Sequence, residues 1–175
     1  MNNKIDFIKI FFTEEKIESL IFIFLGIIAI SLAFIFLFVI KYSFYKGIAY
    51  PLLVIGIIQL TFGSLSYLKS DSDMKRKEFY NKNQTEYIIQ NELPRMEIVI
   101  KNLIIYKWIE ISLMLLGVFL YFCFRYSTQK FWKGLGLGLL IQALIMLSLD
   151  FVAERRSVTY LNKLKMVSVF IVARN

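Results

Sequence analysis

Residues 131–156 read FWKGLGLGLLIQALIMLSLDFVAERR. Aromatic and basic residues open the stretch, an apolar run long enough to cross a bilayer follows, and a charged cluster closes it. Taken at every fourth residue it gives Gly134, Gly138, Gln142, Met146, Asp150 and Glu154. Residues four apart share one face of a helix, so the spacing predicts a spanning helix with a small and polar stripe on a greasy surface. Gly134 and Gly138 form a small-xxx-small pair, which lets two helix backbones approach closely. The G-x-G-x-G run is not a phosphate loop, because no strand precedes it and apolar helical residues surround it.

Composition agrees with a membrane setting. The chain has 175 residues, 58% of them apolar and 17% aromatic. Its mean hydropathy is +0.61, beyond the apolar share of soluble domains. A net charge of +8 would suggest nucleic acid in a soluble protein. Here cytoplasmic loops and anionic headgroups account for it, and no nucleic-acid partner is expected. There is no histidine, which removes the commonest general base and metal ligand, and Cys123 is the single cysteine.

Working outward, three more spans are expected, giving spans at about residues 20–41, 48–68, 103–124 and 131–152. Residues 2–12 predict a short helix lying in the headgroup region, with Thr13 capping the first span and Glu14 and Glu15 in its first turn. Lys41, Tyr42, Tyr45 and Lys46 form a short outer turn, and Pro51 suits the start of the second helix. Gly56, Gln59, Gly63, Ser66 and Ser70 then share one face. Ala29-xxx-Ala33 in the first span is the expected counterpart of Gly134-xxx-Gly138.

Residues 69–102 carry seven basic and six acidic side chains. They predict a helix from Met74 to Gln90, a break or restart at Pro94, and a third helix running to Arg125. The tail after residue 152 fits an amphipathic helix, although its final VSVFIV suits a strand equally well. The two hairpins, helices one-two and three-four, show no internal repeat, since their polar positions do not correspond. Lys and Arg number fifteen on the side holding the termini and the middle segment, against five on the side of the two turns. The expected fold is an all-α integral membrane four-helix bundle in one domain, 1–175. Both termini lie in the cytoplasm, and helices two and three extend into it.

Charged residues inside spans are costly and mark function or locking contacts. Lys107, Glu110 and Asp150 fall in the same third of the bilayer, with Gln59 and Gln142 deeper. They are expected to form a buried polar cluster joining helices three and four, or, alternatively, Lys107 pairs with Glu110 alone. Gly56, Gly63, Gly134 and Gly138 are expected at helix contacts, and Lys75, Arg76, Lys77, Arg155 and Arg156 at lipid headgroups. No metal site and no cofactor are expected. The function these features suggest is non-catalytic: an inner (plasma) membrane binding or accessory protein, such as an immunity or regulatory partner. It would contact lipids and either another membrane protein or a second copy of itself. The alternative is a small oligomeric ion- or proton-coupled channel or transporter using Glu110 and Asp150.

Overall fold

The computed structural model describes residues 3–83 and 85–172, with side chains described outside 3–7, 71, 75–90 and 170–172. The chain is all-helical there. Helix α1 covers Asn3–Phe34 and continues into a π-helical stretch, Ile35–Ile40. Helices α2, α3 and α4 cover Ser43–Asn83, Thr85–Cys123 and Lys130–Val172. Four helices are long and apolar enough to cross a membrane. A helix of this length reaches roughly 60 Å, about twice the hydrocarbon thickness, so much of each one lies outside any apolar layer. We call the end holding the two short connections the turn end and the opposite one the charged end.

Three local expectations give way to longer helices. Thr13 caps nothing: it lies within α1, and its hydroxyl donates back to the Lys9 carbonyl at 2.8 Å. The preceding segment is no separate surface helix, because Ile8, Phe11 and Phe12 are buried against Met96, Tyr160, Leu161 and Leu164. Pro94 neither breaks nor restarts the helix but sits inside α3. Its lost hydrogen bond is offset by the burial of Met96 and by the Glu92–Arg95 pair one turn around it. The tail continues α4 to Val172, since Leu161 and Leu164 bury on one helical face in that same cluster. The first connection closes on Lys41, whose φ of 54° ends the helix in the left-handed region without a glycine.

Side by side the helices stand in the order α1, α2, α4, α3, and α1 makes no backbone approach to α3 among the described residues. Within each hairpin the helices are antiparallel, so α2 and α4 run parallel. Glycines set their spacing. A methyl group on Gly47 would stand 2.7 Å from the Leu135 nitrogen and closer still to the Phe131 carbonyl. One on Gly134 would stand 2.9 Å from the Phe44 carbonyl carbon, 3.3 Å from the Ile48 nitrogen and nearest to the Phe44 oxygen. The partner of Gly134 is therefore Gly47. Ala29 and Ala33 pack instead on the other side of α2, with Ile48, Ala49 and Leu52.

The reciprocal contact has a counterpart in apolar and small residues, although the polar positions do not correspond. Phe44, Lys46 and Gly47 occupy in α2 the places of Phe131, Lys133 and Gly134 in α4, 87 residues later. At the same separation Leu52-Leu53 matches Leu139-Leu140, Ile58 and Leu60 match Ile145 and Leu147, and Ser70 matches Ser157. Gln59 meets its own counterpart, donating from Nε2 to Met146 Sδ at 3.2 Å. In α1 and α3 the separation is 84, pairing Ala33 with Gly117 and Lys41-Tyr42 with Arg125-Tyr126. Ala33 clusters with Ala49 as Gly117 packs on Gly136. The two hairpins are joined across α2 and α4 by a contact in which each side repeats the other.

Candidate functional site

The polar residues inside the spans are where the hairpins differ. On α3, Lys107 and Glu110 are three apart and share a face; on α4, Asp150 and Glu154 do so four apart. Lys107 forms its ion pair with Glu154, not with Glu110 or Asp150. One turn nearer the turn end from that ion pair, Glu110 and Asp150 stand level on the facing helices, their carboxyls within reach of one another. Both acids are buried, Glu110 to 5% exposure and Asp150 to 7%. Oε2 of Glu110 is buried without a hydrogen-bond partner. Lys107, Glu110, Asp150 and Glu154 thus lie on the facing sides of α3 and α4. Glu154 lies on the same α4 stripe as Asp150.

In first-hairpin numbering, Glu110 stands at the place of Gly26 and Asp150 at that of Gly63. Those glycines bring α1 against α2. A methyl on Gly26 would stand 2.9 Å from the Gly56 oxygen, and one on Gly63 would stand 3.0 Å from the Ser19 oxygen. The second hairpin keeps its close approach nearer the turn end, at Gly117 and Gly136. At the charged half it sets four ionisable side chains between the helices instead.

Gln59 and Gln142 lie away from this cluster, on the α2–α4 contact, both essentially fully buried. Gln59 Oε1 and Gln142 Nε2 have no hydrogen-bond partner. Gly138 packs on Pro51 and Ile48 of α2, and Gly56 on Ala29 and Ile30 of α1.

A second cluster, missed by sequence reasoning, closes the charged end. Arg95 holds Glu92 through two hydrogen bonds of 2.6 and 3.0 Å, and its other nitrogen lies 3.9 Å from Asp73. The Tyr160 hydroxyl donates to Glu92 at 3.4 Å while its ring stacks on Phe11 at 4.1 Å. The Arg95 guanidinium lies 5.9 Å from the Phe12 ring. All four helices contribute. The signal was there as Glu92 and Arg95, three apart around Pro94, and as the pair Phe11-Phe12; only the fold shows that these meet.

Of the residues expected at headgroups, Arg156 turns inward. It forms an ion pair with Glu18 at 2.7 Å, and the guanidinium lies over Phe11 at 5.1 Å. Arg155 is exposed and stacks on Phe151 at 4.4 Å. The side chains of Lys75, Arg76 and Lys77 lie outside the described residues. Cys123 is a free, exposed thiol at the turn end. No group of three or more His, Cys, Asp or Glu side chains is placed to hold a metal ion among the described residues.

No family model matches the chain, and no curated protein or solved structure is significantly similar to it. Fold and site therefore define the class directly: an all-helical, bundle-like chain with four helices able to span a membrane.

Proposed function

We propose that the chain is a multi-pass protein of the inner membrane, its charged end in the cytoplasm, that acts by binding another membrane protein as a regulatory or immunity partner. The observation carrying this reading is the backbone-to-backbone packing at Gly26–Gly56, Gly47–Gly134 and Gly117–Gly136. Contacts of that kind hold helix backbones directly against one another, and on this reading the outer faces of α1 and α3 are the working surfaces. Phe24, Ile27 and Leu32 on α1 and Trp108, Leu115 and Phe119 on α3 are exposed there.

Orientation rests on the excess of Lys and Arg at the charged end. It predicts that the native Cys123 reacts with a membrane-impermeant maleimide in intact spheroplasts. Labelling only after the membrane is opened would reverse the orientation.

The second reading, a channel or transporter using Glu110 and Asp150, is favoured by the meeting of those two carboxyls inside the span. Purified protein in liposomes decides between them. The binding reading expects proton, sodium, potassium and chloride flux no greater than in protein-free liposomes. Flux that Glu110→Gln abolishes would replace it with the second reading.

A further inference from the structure

The first hairpin is an internal control for the second. At the places of Glu110 and Asp150 it carries Gly26 and Gly63, and α1 still packs on α2 along its length. The acids are therefore not required to hold two such helices together. They are buried at cost, and their charge is not balanced: Glu110, Asp150 and Glu154 stand around one ammonium, Lys107, which Glu154 engages. The stretch of α2 at this height, Gln59 to Ser66, offers no ionisable group. From α1 the nearest ion pair, Glu18 with Arg156, lies further toward the charged end. What the cluster lacks is positive charge at the buried, unpartnered Oε2 side of Glu110.

We propose that the second hairpin carries a proton-binding site, in which Glu110 and Asp150 hold one exchangeable proton between their carboxyls while Lys107 and Glu154 neutralise each other beside them. Two carboxyls in contact hold together through a hydrogen bond only when one is protonated. The site does not depend on the binding reading, since a proton can be held without being passed on.

The test uses the full chain in lipid nanodiscs. Infrared spectra at pH 7 should show the C=O stretch of a protonated carboxyl, lost in Glu110→Ala/Asp150→Ala. That double variant should unfold no more than about 4 °C below the parent, because it returns the second hairpin to side chains as undemanding as those of the first. Asp150→Ala alone should unfold lower than the double variant, since it strands Glu110. Absence of the band in the parent at pH 7 overturns the proposal. So does a double variant less stable than the single one, which would make the acids a structural lock.

Discussion

Gly134→Leu and Gly47→Leu are each expected to cost at least ~3 kcal/mol and to remove most of the monodisperse protein recovered in mild detergent. Both substitutions drive a side chain into backbone of the facing helix, Phe44 for one and Phe131 with Leu135 for the other. Backbone cannot step aside as a flexible side-chain tip does. Because the two contacts are mirror versions of one another, the two losses should be equal within about 0.5 kcal/mol. Gly56→Ala separates this effect from helix propensity. Its new methyl would meet Ile30 and Ala29 side chains and the Gly26 oxygen at 3.0 to 3.2 Å. A small adjustment there is offset by the roughly 0.5–1 kcal/mol that alanine gains over glycine within a helix. Near-neutral Gly56→Ala beside damaging Gly47→Leu and Gly134→Leu would place the critical contact between α2 and α4. Equal tolerance at Gly47 and Gly134 would refute the two-fold contact.

The second large effect is expected at Lys107. Removing its ammonium in Lys107→Met leaves Glu154 unpaired beside the Glu110–Asp150 pair. Breaking one side of a fully buried pair costs 3–5 kcal/mol. Lys107 and Glu154 side chains keep 23% and 20% exposure, so about 2–3 kcal/mol is expected at neutral pH. The sign with pH follows from charge. Stranded carboxylates are relieved by protonation, so the penalty should shrink as pH falls and grow as it rises. The partner change tests the cause: Lys107→Met/Glu154→Met removes both charges and should recover most of the loss. Thermal unfolding in detergent at pH 5 and pH 8 measures all three chains. A penalty independent of pH would mean that Lys107 works through packing of its stem.

The two effects bear differently on function. The glycine contact holds the two hairpins together across α2 and α4. The ionisable cluster belongs to one hairpin only, and it makes the halves chemically unequal. Lys107 joins the cluster to the protein's charge pattern: it is the lone cation among three carboxyls inside α3 and α4.

Several features were legible in the residues alone. The stripe Gly134, Gly138, Gln142, Met146, Asp150 and Glu154 follows from helical spacing, and four apolar runs of sufficient length follow from hydropathy. The neighbourhood of Lys107, Glu110 and Asp150 followed from where each falls along its run. The repeat was hidden because it is written in apolar and small residues, Phe44 with Phe131, Gly47 with Gly134, Ala33 with Gly117. Attention to polar positions looks where the hairpins diverge, as at Gly26 against Glu110. The cluster of Arg95, Glu92, Tyr160 and Phe11 was hidden for another reason. With Asp73 its members are scattered over four helices, and each alone reads as an ordinary charged or aromatic residue of a helix end.

What the sequence determined by itself is periodic and local: helical faces, apolar lengths, and the excess of positive charge at one end of the helices. These depend on a rise of about 1.5 Å and 3.6 residues per turn, which neighbouring residues dictate. Only the tertiary structure decided pairing: that Lys107 takes Glu154 and leaves Glu110 with Asp150, that Arg156 turns to Glu18, and that Gly134 meets Gly47. Each helix face offers several partners of similar chemistry. The choice among them falls to how closely backbones can approach, which is a property of two helices together and is written in neither one alone.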